Sequence, residues 1–150
     1  MTLQASDIEA TVHDISQFFT DWVGGRCPGD DATFAKNALD RLSDELIVIM
    51  PGGRSFGKRD FAGYMRGIYG SNPEFRIKIC DFRVSHQGAD LAVVNYREWQ
   101  RNAKDSDPPN NGRVTTMVVR DRGGSGDPEI IQVHETWLPN DIVRDADFDF

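Results

Sequence analysis

Glu98 and Glu135 are the residues of this chain best placed for acid–base chemistry, because each sits in a strand-like run of otherwise apolar and aromatic neighbours. Period-two alternation sends Val94, Tyr96 and Glu98 to one face of their strand. The same counting groups Thr115, Met117 and Val119 on a second strand, and Val133, Glu135 and Trp137 on a third. The opposite faces take Val93, Asn95, Arg97 and Trp99, then Thr116, Val118 and Arg120, then Gln132, His134 and Thr136. The first set is more apolar at its centre and is expected to face inward. A carboxylate drawn into such a hollow must find partners or hold its proton more tightly. Tyr96 stands roughly 7 Å from Glu98 along the strand. These types permit a carboxylate acid–base, Glu98 or Glu135, with Tyr96 as hydrogen-bond donor to a small ligand. Met117, Thr115, Trp137 and Trp22 are the expected ligand contacts. The competing reading leaves both glutamates solvated at strand ends, paired with arginines such as Arg97 or Arg113.

His134 has the side chain whose ordinary pKa best suits proton transfer near neutrality. Alternation turns it away from Glu135, toward the outer face; an inverted parity of the last strand would bring it into the hollow. His13 and His86 read as solvated. The three histidines are far apart, and no His-x-His, Cys-x-x-Cys or His-Glu-x-x-His spacing occurs, so no metal site is expected. There is no Gly-x-Ser-x-Gly elbow and no phosphate-cradling loop with a lysine–serine pair, so neither a serine hydrolase nor a nucleotide cofactor is expected.

The elements that must position these residues follow from periodicity. Ile8, Val12, Ile15, Phe19 and Trp22 line one face of a helix closed by Gly24-Gly25, with Ser6 and Glu9 fitting a capping box. A second helix is expected over 31–42, and a buried strand over 46–50 stopped by Pro51-Gly52-Gly53, with Arg54-Ser55-Phe56 returning as a short arm. A third helix starts near Lys58. Four strands follow, over 75–86, 91–101, 113–121 and 129–138. Helices first and then consecutive strands joined by short turns give an α+β chain built on an antiparallel meander. Residues 1–139 form the expected domain, and 140–150 an acidic tail.

Composition bounds the rest. With 150 residues the chain suits one domain, able to bury roughly 68–70% of its unfolded surface. A net charge of −7 disfavours nucleic acid and anionic membranes as partners. The longest apolar run, 46–50, is far below the ~20 residues of a membrane helix. The N-terminus lacks a basic and then apolar leader pattern, and Cys27 and Cys80 show no pairing signature. The expectation is a cytoplasmic protein with free thiols, a Cys27–Cys80 bridge remaining open on spacing alone.

Three stretches carry a resemblance: Asp44 to Gly53, the Ser55-Phe56-Gly57-Lys58-Arg59-Asp60-Phe61 approach to the third helix, and Ile130-Ile131-Gln132-Val133-His134-Glu135-Thr136-Trp137. With the order of elements, they resemble the SnoaL-like, or NTF2-like, superfamily, on the side of its DUF4440 and ketosteroid-isomerase-homologue branches. That resemblance implies a cone: a curved antiparallel sheet wrapped by three N-terminal helices, with a pocket at the open end. It also implies a homodimer through the outer sheet face, where Trp99, Val93 and Val118 form an apolar patch. Some members are cofactor-free isomerases or lyases acting on small apolar molecules, and others are non-catalytic association or binding modules. Carried over residue by residue, the isomerase apparatus is missing. Met50 stands where the family's aspartate base precedes the strand-ending proline. The first helix offers Phe18, Phe19 and Trp22 in place of a tyrosine, and Thr115 and Thr116 occupy the neighbourhood of the late-strand aspartate. The pocket arginines of the kinase association domain fall at Glu98, Met117 and Trp137. The pocket is therefore expected to favour an apolar or cationic ligand over a carboxylate.

Overall fold

A computed structural model describes residues 2–150. Helix α1 (Ala5–Gly24) opens the chain, followed by α2 (Asp31–Asn37), a 3-10 turn at Leu39–Arg41, and strands β1 (Leu42–Ile49) and β2 (Ser55–Gly57). Helix α3 (Lys58–Gly67) precedes the long strands β3 (Arg76–Gln87), β4 (Leu91–Arg101), β5 (Asn111–Asp121) and β6 (Pro128–Trp137), and α4 (Asn140–Arg144) follows. The sheet runs β2-β1-β6-β5-β4-β3. The expected meander β3 to β6 is antiparallel throughout. The sheet is nonetheless mixed, because β1 pairs parallel with β6. Register shifts near Cys80/Arg83, Val84/His86 and Val118/Val119 interrupt the ladders, and such bulges bend the strands that carry them.

Local chemistry sets these limits. α1 ends where Gly25 takes a left-handed φ of 69°, and Arg26 N–H returns to the Asp21 carbonyl at 2.8 Å. Its start differs from the capping-box expectation: the N-cap is Gln4, with no side-chain cap, and Ser6 lies inside the helix. α2 is capped by Asp30, whose carboxylate accepts from Thr33 N–H at 2.7 Å. It stops at Asn37 rather than 42, because the chain is taken over by β1, which begins four residues earlier than expected. The polar run Ser43-Asp44-Glu45 hid that half of the strand. Only Ser43 of the three is buried there, while Asp44 and Glu45 stay exposed.

Two apolar cores result. In the first, Ile8, Val12 and Ile15 of α1 lie on Leu46, Val48, Val94, Met117, Val119 and Ile130 of the sheet. The second gathers Phe18, Trp22, Phe34, Ala62, Met65 and Phe75 around the end of α1 and α3. Trp22 fixes that cluster by donating its indole N–H to the Met65 carbonyl at 2.7 Å. No helix among the described residues is long and apolar enough to cross a membrane. Cys27 and Cys80 are both free.

On the outer face, Trp99 is not the open patch expected. It is buried, with Phe148 of the C-terminal tail edge-on to it at 5.7 Å between ring centroids. Gly112 lies so close beneath that an added Cβ would come within 2.5 Å of the indole. Arg101 holds the tail by donating to the Phe148 carbonyl at 3.2 Å, and Lys78 and Arg101 both lie against the Phe150 ring. The chain thus covers Trp99 with its own last residues. Composition marked those residues as acidic but gave no sign that their two phenylalanines dock.

Candidate functional site

The inner faces of β4, β5 and β6 line up in three cross-strand rows. Val94, Met117 and Val133 form the first row, Tyr96, Thr115 and Glu135 the second, and Glu98, Arg113 and Trp137 the third. Polarity therefore rises along the strands, from an apolar floor to a charged rim. A cavity of about 230 Å³ opens above these rows, under α1 and α3. Ile15, Phe19, Leu46, Val48 and Met65 are part of its apolar wall; Tyr96, Glu98, Gln100, Arg113 and Glu135 supply its polar end. Lys104, Asp105 and Ser106, from the connection between β4 and β5, also line it, alongside Ser71 and Asn72. It is somewhat smaller than the 300–1,000 Å³ usual for ligand pockets.

Arg113 organises the polar end. It is 3% exposed and donates from Nη1 to Glu135 Oε2 at 2.6 Å and from Nη2 to Asn111 Oδ1 at 3.1 Å. Its Nε lies 3.9 Å from Glu98 Oε2, too far for a hydrogen bond, and has no other partner. Glu98 Oε2 instead accepts from Gln100 Nε2 at 2.6 Å. The guanidinium also lies over the Trp137 ring, 4.8 Å from its centroid. One arginine thus serves two buried carboxylates. Burial first, and then repulsion from Glu98, raises the Glu135 carboxyl to about 7, against the opposing pull of Arg113. Burial, with Glu98 and Glu135 nearby, pushes the Tyr96 phenol well above its ordinary value, so it stays a neutral donor. Thr115 Oγ1 is buried beside it without a hydrogen bond of normal geometry.

The cavity brings together Tyr96, Glu98, Glu135 and Met117 of the residues singled out from the sequence. Thr115 is fully buried in the row between them. Trp137 lies at the rim, 42% exposed and outside the lining. Trp22 belongs to the second core, with its N–H already used. His134 is exposed and on the outer face, as the uninverted parity required. Pairing of the glutamates with Arg113 is present, but in a buried setting rather than a solvated one; Arg97 instead faces Asp81 at 3.9 Å. Sequence reasoning missed the central place of Arg113 and the contributions of Gln100 and Asn111. Alternation carried the first of these, since 113 shares the parity of 115 and 117. Among the described residues no group of three or more histidine, cysteine, aspartate or glutamate side chains is arranged to hold a metal ion.

Neither a family model nor a curated protein matches the chain. Solved structures do. An NTF-2 like protein of unknown function from Pseudomonas aeruginosa superposes with a TM-score of 0.76 at 20% identity, over 89% of this chain and 99% of that one. A candidate ketosteroid isomerase from Shewanella frigidimarina gives 0.64 at 14% identity, over 91% and 100%. The hub homology domain of a Chlamydomonas reinhardtii CamKII gives 0.64 at 15% identity, over 90% and 98%. At these identities the likeness is one of fold, and it agrees with the helix-wrapped sheet, the row-by-row lining and the cavity described above: the chain has the NTF2-like cone fold.

Proposed function

We propose that this chain binds a small, largely apolar molecule in the cone and handles a proton on it, as a cofactor-free isomerase or lyase. The observation that carries this reading is the Glu98–Arg113–Glu135 cluster, buried at the end of an apolar cavity of about 230 Å³. A carboxyl raised to about 7 is half protonated near neutrality, so Glu135 can give or take a proton there. Glu98 is its partner, Tyr96 the neutral donor that would hold a carbonyl or hydroxyl oxygen, and Met117 part of the apolar wall. The test is deuterium exchange at carbon next to the carbonyl of small apolar ketones, with and without an amino group, followed by NMR in heavy water. Exchange above the buffer rate is expected, falling by about 10²–10⁴ in Glu135→Gln. Exchange no faster than buffer across the panel would remove the catalytic reading.

The second reading is a homodimer that uses the outer sheet face, whether or not the cavity is catalytic. Val114 and Ile47 are exposed apolar side chains on that face, and Val93 and Val118 are only partly covered. Sedimentation velocity decides it: a dimer is expected in wild type and a monomer in Val118→Asp, whereas a wild-type monomer counts against it.

A further inference from the structure

We propose that the cavity's ligand carries a positive charge: a small amine on a ring-sized apolar body, its ammonium seated between Glu98 and Glu135. This rests on the reading of the cavity as a ligand site and names the class of ligand. The lining holds three carboxylates, Glu98, Glu135 and Asp105, against two cations, Arg113 and Lys104. Lys104 makes no ion pair with Glu98 or Glu135 and donates instead from Nζ to the Ser71 carbonyl at 2.5 Å. At the buried end the count is two carboxylates to one guanidinium. With both ionised, one negative charge is left without a partner, and an uncompensated charge out of water is costly. Either a proton or a ligand cation can cancel it. An anionic ligand would enlarge the deficit, because Arg113 is already engaged with Glu135 and Asn111.

The hydrogen-bonding capacity left open is consistent with this. Of the four carboxylate oxygens, Glu98 Oε2 accepts from Gln100 and Glu135 Oε2 accepts from Arg113, and the two Oε1 atoms make no hydrogen bond. An ammonium has three donors to offer such acceptors. The rest of the cavity suits an apolar body, and its 230 Å³ exceeds the roughly 150 Å³ that admits benzene in an apolar cavity. Proton and cation then compete for one deficit. The groups facing Glu135 in that competition are Glu98 and Tyr96 from β4 and Arg113 from β5. Lys104, Asp105 and Tyr64 complete the titratable lining, and α1 and β1 contribute none.

The experiment is calorimetric titration of the full chain with benzylamine, benzyl alcohol, benzoate and toluene, at about pH 8 and about pH 6. At the higher pH benzylamine is expected to bind at least about tenfold tighter than benzyl alcohol, and benzoate weakest. At the lower pH its advantage should shrink by about tenfold, as the cluster proton competes. Binding there should release a proton, seen as heat that depends on the buffer's ionisation enthalpy. Glu98→Gln should cost the amine about tenfold or more and leave toluene unchanged. The wild-type pH comparison stands on its own if that variant does not fold. Alcohol or toluene binding as tightly as the amine would overturn the cation while leaving the cavity a ligand site. No binding by any of the four would overturn both.

Discussion

Replacing Arg113 by methionine should cost about 3–5 kcal/mol of stability at neutral pH, the largest loss expected from any single change at the polar end. Methionine keeps much of the apolar stem and removes the only guanidinium that two buried carboxylates share. What remains is not one lost ion pair but two largely buried carboxylates at one end of a mostly apolar cavity, with no cation between them. One must then take up a proton, so the variant should recover stability as the solution is acidified, where wild type has less to gain. The double variant Arg113→Met with Glu135→Gln should regain most of the loss, since residues in one network do not contribute additively. Urea denaturation of wild type, Arg113→Met, Glu135→Gln and the double variant at neutral and mildly acid pH reads all of this. A loss below about 1 kcal/mol for the single variant would mean that the cluster is far wetter than its 3% exposed arginine implies.

The site was legible in the sequence to the extent that period two is legible. Val94, Tyr96 and Glu98 kept their parity through β4, and Met117 paired with Val133 in register. The Val118/Val119 bulge lies beyond the rows that carry the carboxylates, so no face was inverted where it mattered. Arg113 was reachable by the same counting and was missed because a basic residue beside a polar loop reads as a solvated strand end. The rest required tertiary information. Trp137 and Trp22 were grouped with the ligand by residue type, but an indole goes where its area and its N–H are both satisfied. For Trp22 that place is the Met65 carbonyl, whereas Trp137 stays at the rim, 42% exposed, with its ring face against the Arg113 guanidinium. Trp99 looked free because its cover, Phe148, lies in a stretch whose aspartates dominate its composition. The start of β1 was hidden by the same kind of local signal, Ser43-Asp44-Glu45, the stretch over which the parallel pairing with β6 is itself interrupted between Leu42 and Ile47.

Stability should also fall as pH rises toward neutrality, through the Glu135 carboxyl in its setting beside Glu98 and Arg113. Its carboxyl lies at about 7 in the folded chain and near its model-peptide value of 4.5 once unfolded. Across that window the folded state binds the proton more tightly, so the contribution is complete below about 4.5 and lost by about 7. Moving the carboxyl from 4.5 to about 7 corresponds to about 3 kcal/mol. Other carboxylates act the opposite way: the Asp30 cap, held low by its bonds to Thr33, favours folding above its unfolded pKa. The clean measurement is therefore a difference, wild type against Glu135→Gln, in which those common contributions cancel. Glutamine resembles the protonated acid, so the two chains should be nearly equal at about pH 5, with glutamine ahead by about 3 kcal/mol at about pH 8.5. A difference flat in pH would show that Glu135 titrates like a solvated carboxylate. The proton that acid–base chemistry and amine competition both invoke would then be absent at neutral pH. A difference that rises but levels off by about pH 6 rather than about 7 would instead say that Arg113 offsets more of the burial than the 2.6 Å contact alone conveys.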